Sequence, residues 1–277
     1  MDLSLIKEKL ASSQSKGQKK EKVDYSKIFW KPKAGKHVVR ILPSKFDKAN
    51  PFREVYLHYG FAKFPILSLT NWDEKDPINE FAKSLRKSSE KEDWELAKKV
   101  SPKLRYFAPV LVRGEEEKGA RLWEFGKLIY EQLLGIADDE DYGDYTDITD
   151  GRDFTVDAIE DVVAGRKGIK CTLRVKPKTS EISSDPALVE KVLNEQPDIL
   201  GINKHFSFDE LKDLLDRFLN PEEDTSVDTE DATETETDDE FQKDMNEPVD
   251  TSEAARKPAG RKSNADKFDK LFTEEDK

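Results

Sequence analysis

The feature that most constrains the fold is a break in composition near residue 220. Residues 220–277 contain 20 acidic and 8 basic side chains, and almost no apolar residues occur there before the motif KFDKLF. Such a segment cannot bury enough apolar surface to offset the entropy lost on folding. We therefore predict that residues 221–277 form a disordered acidic tail and that the folded part of the chain lies upstream.

The upstream part divides again into an arm and a core. Its first 36 residues hold ten basic and four acidic side chains, including the Lys-rich segment QSKGQKKEK. We predict a basic N-terminal arm over residues 1–22 and a folded core over residues 23–220. Cys171 is the single cysteine, which excludes an internal disulfide and a thiolate-rich metal site. No apolar stretch approaches the ~18–20 residues that cross a bilayer, so we expect a cytoplasmic protein without a membrane partner.

Strand and helix patterns in the core alternate without the rhythm of parallel βαβ units. Two hairpins are predicted, one from KLRYFAPVLV and ARLWEFG across the turn GEEEKG, the other from DFTVDAIEDVV and IKCTLRVKP. Helical periodicity is found in residues 76–100, in residues 125–136 and after Ser207, which forms a capping box with Glu210. The second of these helices is expected to point four side chains inward: Leu128, Ile129, Leu133 and Leu134. These patterns predict an α+β fold, an antiparallel β-barrel with helical insertions.

No arrangement of side chains typical of a catalytic site is found. The histidines His37, His58 and His205 lie in separate segments, and the phosphate-binding, dinucleotide-binding and serine-nucleophile motifs do not occur. The segment EEK at Glu116 matches the loose E-x-K pattern of metal-dependent nucleases, but it lies in a predicted hairpin turn. We therefore expect a protein that is not an enzyme, and we keep a nuclease that uses Glu116 as an alternative.

Several predicted strands combine cations with aromatic rings, a combination typical of proteins that bind single-stranded nucleic acid. Rings stack on unpaired bases and cations meet phosphates, and neither contact requires a particular base sequence. The candidate DNA-binding residues are Trp30, Lys33, Lys36, Arg40, Lys103, Arg105, Tyr106, Phe107, Arg113, Arg121, Trp123, Lys127, Arg174 and Lys176. Strand alternation places Tyr106 with Leu104, Ala108 and Val110, so the rings can instead belong to the core.

Three segments carry a resemblance to a known family: VVRILPSKFDKANPFREVYLHYGF, KLRYFAPVLVRGEEEKGARLWEFGKLIYEQL and TDGRDFTV. They resemble the single-stranded DNA-binding, helix-destabilising proteins of T-even-type bacteriophages, and the similarity runs from about Trp30 to Asn220. It implies an OB-fold core with a zinc-bearing insertion near residues 63–100, in which aromatic residues at the positions of Tyr106 and Trp123 lie in the DNA cleft. It also implies a basic arm for self-association along DNA and an acidic tail that recruits other proteins.

The insertion departs from the family pattern at its zinc site. The family holds zinc with one histidine and three cysteines, whereas the segment DPINEF here has Asp76 and Asn79 at two of the cysteine positions. His58 is retained, but one His with Asp and Asn would bind zinc weakly. We therefore expect no cofactor, and we expect packing to hold the insertion through four apolar side chains: Trp72, Pro77, Ile78 and Phe81.

The two flanking segments supply further candidates. In the arm, the residues that correspond to the family's basic-then-Ser/Thr motif for self-association are Lys7, Lys9, Ser12 and Ser13. In the tail, the candidate partner-recruiting tip comprises Phe268, Leu271 and Phe272. We further hypothesise that the tail competes with DNA for the cationic groove, and that bound DNA displaces the tail and frees the tip.

Together these features predict a protein that coats single-stranded DNA without sequence preference and removes its secondary structure during phage replication, recombination and repair in the host bacterial cytoplasm. The expected partners are single-stranded DNA, further copies of the chain, and phage proteins such as a polymerase, a helicase loader and a recombination mediator. The alternative is an acidic-tailed interaction scaffold, or a chaperone for basic proteins, that does not bind DNA.

Overall fold

A computed structural model describes residues 25–163, 166–220, 267, 268 and 271 of the chain. Helices and strands are mixed along the described sequence, so the predicted α+β class is confirmed. Eight strands form one sheet: β1 Phe29–Trp30, β2 Gly35–Ile41, β3 Arg53–His58, β4 Ile66–Leu67, β5 Lys103–Val112, β6 Arg121–Phe125, β7 Arg152–Val163 and β8 Arg166–Thr179.

The sheet is built around β5, the strand in which Lys103 and Arg105 lie next to Tyr106 and Phe107. The strands follow the order β1-β6-β5-β2-β7-β8. Strands β3 and β2 share one edge of β5, where β3 pairs with residues 103–107 and β2 pairs with residues 110–112. All pairs are antiparallel except β1 with β6. A barrel closes only when its first and last strands pair. Here β1 has two residues and lies at the opposite end of the path from β8, so the described sheet is open and the prediction of a closed barrel is wrong.

Helices cover parts of both sheet faces and form a separate layer. They are α1 Tyr25–Ile28, α2 Pro77–Leu85, α3 Lys91–Val100, α4 Lys127–Ala137, α5 Pro186–Asn194, α6 Ile199–Ile202 and α7 Phe208–Leu219. The predicted capping box of α7 is confirmed, because the Ser207 hydroxyl accepts a hydrogen bond from the Glu210 amide and the Glu210 carboxylate accepts one from the Ser207 amide. None of the helices in the described ranges combines the length and apolar character that a bilayer crossing requires.

Two buried clusters organise the packing that matters for the site. The first, the sheet core, lies between one face of the sheet and α4 and includes Val39, Val110 and Phe154. The second, the helical layer, is formed by α2, α3 and α7, and the side chains at its centre are Ile78, Phe81, Ala97, Leu211 and Leu215. The expected packing role of Ile78 and Phe81 in the insertion is therefore confirmed.

Helix α4 buries a narrower stripe than its sequence predicts. Ile129 and Leu133, four residues apart, are buried in the sheet core, whereas Leu128 is 49% exposed and Leu134 is 43% exposed. The prediction of an inward Leu128 and Leu134 is therefore wrong. The helix contacts the sheet along one side only, and residues one position away from the contact line turn toward solvent.

Candidate nucleic-acid interface

The closest aromatic stack in the described residues joins the sheet to α4. Tyr106 of β5 stacks on Tyr130 of α4 with ring centroids 3.9 Å apart and an interplanar angle of 15°. The β5–β6 register places Phe125 opposite Tyr106, and those two rings are also stacked, with centroids 6.4 Å apart. Phe52 meets Tyr130 edge-on at 5.4 Å. The sheet therefore carries a row of aromatic rings that ends at the two tyrosines.

A third tyrosine lies on the same face. The β3–β5 register pairs Glu54 with Tyr106 and Tyr56 with Leu104, which puts Tyr56 on the diagonal of Tyr106. Tyr56 is 39% exposed, Tyr130 is half-buried and Tyr106 is 6% exposed. We call Tyr56, Tyr106 and Tyr130 the tyrosine cluster.

Sequence reasoning missed two members of the tyrosine cluster. Tyr130 lies in helix α4, for which the sequence was used only to predict the inward apolar side chains. Tyr56 could have been found from the sequence. The period of two along β3 places its side chain on the other face of the sheet from the buried Val55 and Leu57. A large aromatic ring on the polar side of a strand is the pattern to search for in such a chain.

The pKa values of two phenols of the cluster, Tyr106 and Tyr130, lie above their ordinary value. Burial raises the pKa of Tyr106, and the nearby Glu54 carboxylate raises it further. Burial also raises the pKa of Tyr130, whose hydroxyl donates a hydrogen bond to Glu54 Oε1 at 3.4 Å. These two phenols therefore add no negative charge beside an incoming phosphate, whereas Glu54 and Glu131 are acidic groups close enough to raise the pKa of Tyr106.

Three of the predicted stacking rings are packed in the interior. Trp30 is 5% exposed and Trp123 is 1% exposed, and the parallel pairing of β1 with β6 brings their ring centroids to 5.4 Å. Phe107, 2% exposed, lies on the opposite sheet face in a cluster with Val55 and Leu57. Because helices and loops cover both faces here, these rings present no open face to a base. The structure gives them a packing role, and their contact with DNA stays a prediction.

Two predicted phosphate ligands are held in an internal network around Asp153. Arg40 is fully buried, its Nε lies 3.3 Å from Asp153 Oδ1, and it donates a hydrogen bond to Ser180 Oγ at 3.0 Å. Arg113 donates to Asp153 Oδ1 at 2.9 Å and to the Ile182 carbonyl at 2.6 Å. Burial lowers the pKa of Arg40 and Asp153 opposes that shift. These arginines fasten the segment after β8 to β2 and β5, which is a structural role.

The other predicted arginines also have acidic partners within the chain. Arg105 donates from Nε to Glu124 Oε1 at 2.9 Å. Arg121 is 4% exposed, and its Nη2 donates to Glu115 Oε2 at 2.5 Å. Arg174 forms an ion pair with Asp157. A phosphate that binds any of these cations has to compete with the carboxylate already present.

The predicted lysines are more open to solvent. Lys33 is exposed just before β2 and Lys36 is exposed near its start, and the carbonyl of Lys33 lies 2.7 Å from His37 Nε2. Lys127 is exposed at the start of α4, 3.5 Å from Glu131. Lys103 and Lys176 are half-buried, and Lys103 donates a hydrogen bond to the Lys98 carbonyl at 3.1 Å. Among the predicted cations, these exposed lysines and Arg174 are accessible to a phosphate backbone, and Arg174 is already ion-paired with Asp157.

The place that corresponds to the family's zinc site holds a hydrogen-bonded carboxylate. Asp76 Oδ2 accepts from His58 Nε2 at 2.8 Å, from Ser68 Oγ at 2.6 Å and from the Leu69 amide at 2.9 Å. Asp76 Oδ1 accepts from the Asn79 amide at 2.9 Å and thereby caps α2. Four donors saturate this carboxylate, and the His58 nitrogen that faces it is already hydrogen-bonded. These residues therefore do not fit a zinc ligand set, and the described residues contain no group of three candidate ligands.

A family comparison covers the part of the chain that contains the sheet and the aromatic row. The model of the family described as gp32 DNA binding protein like matches residues 33–220 of the 277-residue chain. The chain belongs to this family. No curated protein matches the chain. The expectation of a gp32-like single-stranded DNA-binding protein is confirmed at the level of the family, and the matched range contains the whole tyrosine cluster.

Two sets of candidates in this gp32-like chain lie wholly or partly outside the described residues. The self-association candidates Lys7, Lys9, Ser12 and Ser13 fall there, as do Phe272 and all of the predicted disordered tail except residues 267, 268 and 271. Phe268 and Leu271 are described, and both contact the helical layer.

Proposed function

We propose that the protein binds single-stranded DNA without sequence preference, stacking bases on the tyrosine cluster, and that it is not an enzyme. The observation that carries the proposal is the Tyr106–Tyr130 stack with the exposed Tyr56 beside it, on a gp32-like domain. Every base has a flat π face, so stacking tolerates any sequence and contributes roughly 1–3 kcal/mol per base. Tyr56 offers the open ring, and the stacked pair of Tyr106 and Tyr130 holds that part of the sheet in place.

The phosphate contacts in this proposal come first from the exposed lysines Lys33, Lys36 and Lys127. Each neutralised phosphate releases condensed counterion, about 0.7 per charge for single strands, so binding weakens as salt rises. Arg105 is the arginine nearest the cluster along the chain, and it meets a phosphate only by exchanging Glu124 for it. Glu54 opposes binding, because its carboxylate lies beside the tyrosines.

The family resemblance supports a proposal about the wider role. We infer that the protein coats single-stranded DNA during phage replication, recombination and repair, with the arm over residues 1–22 joining neighbouring copies and the acidic tail recruiting the polymerase, helicase loader and recombination mediator. The arm proposal has its own test. Deleting residues 1–22 is expected to reduce cooperative clustering on long DNA more than binding to short oligonucleotides, and equal reductions on both lengths would contradict it.

One titration compares this function with its alternatives. The full chain is added to a fluorescein-labelled single-stranded oligonucleotide and to the matching duplex, with and without Mg²⁺, and the DNA is then run on a denaturing gel. The proposal predicts salt-sensitive binding, preference for the single strand and intact DNA. An acidic-tailed scaffold predicts no binding. A nuclease that uses Glu116, whose carboxylate in this structure accepts a hydrogen bond from the Gly114 amide, predicts Mg²⁺-dependent fragments.

A further inference from the structure

The C-terminal tip of the chain packs against its own helical layer. Phe268 is 5% exposed and meets Phe81 of α2 edge-on, with ring centroids 6.1 Å apart. Leu271 is half-buried against the same cluster. Residues 267, 268 and 271 are helical, and a spacing of three places Phe268 and Leu271 on one face. The tip therefore has the form of a short amphipathic turn with two apolar anchors.

A charged contact fixes the tip beside these anchors. Lys267 Nζ lies 2.5 Å from Asp93 Oδ2 and 3.4 Å from Glu90 Oε2, at the start of α3. Asp93 is only 2% exposed. Burial by itself would raise the pKa of Asp93, but hydrogen bonds from Lys267 and Ser88 bring it below its ordinary value. Burying a carboxylate without a cationic partner costs folding free energy. Lys267 of the tip therefore supplies the positive charge that the buried Asp93 of α3 requires.

We propose that α2, α3 and α7 form a docking groove whose occupant is the chain's own tip, through its described residues Lys267, Phe268 and Leu271. Phe268 and Leu271 fill its apolar floor, and Lys267 meets Asp93 and Glu90 at its edge. The groove belongs to the helical layer, whereas Tyr106 and Phe125 belong to the sheet core. It is a second binding site, distinct from the proposed DNA interface.

Docking of the tip limits the positions that the acidic segment between Asn220 and Lys267 can occupy. The 46 residues between Asn220 and Lys267 include 15 acidic side chains over residues 222–253. With the tip in its groove, both ends of this stretch are held on the helical layer. The sequence predicts that this stretch is disordered, and a disordered chain of this length spans roughly 35–40 Å, which gives the tethered tip an effective concentration on the order of millimolar at the groove. A partner that binds the tip has to take it from this site.

Competition with a free tip peptide tests the proposal. A fluorescein-labelled peptide of residues 263–277 is titrated, by fluorescence anisotropy, with the full wild-type chain and with the full chain carrying Phe268→Ala and Leu271→Ala. The variant lacks its own anchors, so its groove is open, and it is expected to bind the peptide at least about 10-fold more tightly than the wild-type chain does. A peptide with the same two substitutions is the matched control and is expected not to bind.

A charge variant adds a second readout that does not depend on the apolar anchors. The full chain with Phe268→Ala, Leu271→Ala and Asp93→Asn is expected to bind the wild-type peptide about 10-fold more weakly than its Asp93 parent, because Lys267 then lacks its anion. No binding of the peptide by any chain would overturn the groove. Equal binding by the wild-type chain and the Phe268→Ala, Leu271→Ala chain would overturn its occupation by the chain's own tip.

Discussion

Tyr106 and Tyr130 stack with their ring planes 15° apart, although one lies on a central strand and the other on the helix that follows the next strand. The contact joins β5 to α4 and orders the face on which Tyr56 lies exposed. A ring held before binding loses little entropy when a base stacks on it. The pair therefore acts as the support, and the exposed Tyr56 as the contact, of a base-binding surface.

Trp123 is expected to matter for stability. Replacing this fully buried ring by alanine leaves a large cavity beside Trp30 and is expected to lower the free energy of unfolding by about 3–5 kcal/mol. Urea unfolding followed by circular dichroism measures the decrease. The family resemblance implied a different result, weaker DNA binding by an intact fold. A Trp123→Ala protein with wild-type stability and reduced affinity would restore that interpretation and contradict the core assignment.

The two kinds of cation are expected to respond differently to substitution. Replacing Lys33 and Lys36 together by alanine is expected to reduce the slope of log affinity against log salt by about 1.4, or 0.7 for each phosphate that is no longer neutralised. Arg113→Ala is instead expected to lower the free energy of unfolding, because Asp153 and the Ile182 carbonyl lose a donor. Binding isotherms at several salt concentrations and urea unfolding separate the two. An unchanged slope in the double lysine variant would exclude both lysines from the phosphate contacts.

Asp76 is expected to stabilise the insertion in a pH-dependent way. Asp76→Ala leaves buried donors unsatisfied and removes the cap of α2, at a cost of about 2–4 kcal/mol of unfolding free energy. Burial alone would raise the Asp76 pKa, but hydrogen bonding and charge from His58, with further hydrogen bonds, lower it below its ordinary value. Its contribution is therefore complete above about pH 4 and is lost as the pH falls through the lowered folded-state pKa.

Urea unfolding at pH 7 and at successively lower pH checks both parts of the Asp76 prediction. The matched control is Asp213→Ala, which removes an exposed carboxylate from the surface of α7. Equal stability of Asp76→Ala and Asp213→Ala at pH 7 would show that the hydrogen-bonded carboxylate does not hold the insertion together.

Zinc is expected to be absent from the purified protein. The Asp76 carboxylate already accepts four hydrogen bonds, and one of its donors is the ring nitrogen of His58, so no metal-binding free energy is expected to contribute to folding. Elemental analysis is expected to find no stoichiometric zinc, and a chelator is expected to leave Tm unchanged. One zinc per chain, with a fall in Tm on chelation, would overturn the assignment of these residues.

The features that sequence predicted well are those fixed by neighbouring residues. The capping box at Ser207 and the two long hairpins depend on short spacings, and all three are present. The alternation that placed Tyr106 with Ala108 and Val110 is also confirmed by their shared cluster. Such patterns are local because a strand repeats every two residues and a cap spans three.

The features that sequence missed depend on contacts between distant parts of the chain. Arg40 bonds to Ser180 across 140 residues, and nothing in the segment around Arg40 indicates that its charge is neutralised inside the fold. The open sheet likewise depends on where β1 pairs, and the tip's place on α2 depends on a segment far along the chain. A cation beside an aromatic ring has the same appearance in sequence whether it meets a phosphate or a buried carboxylate.

The measurement that tests the central claim most directly is the affinity of Tyr56→Ala for single-stranded DNA. Anisotropy titrations of a labelled oligonucleotide compare the wild-type chain, Tyr56→Ala and Trp94→Ala, which removes a comparably exposed ring from the helical layer. Both variants are expected to keep wild-type stability, because neither ring is buried. The account predicts that Tyr56→Ala weakens binding by about 1–3 kcal/mol and that Trp94→Ala binds as the wild type does. Wild-type affinity in Tyr56→Ala, or no binding by the wild-type chain, would contradict it.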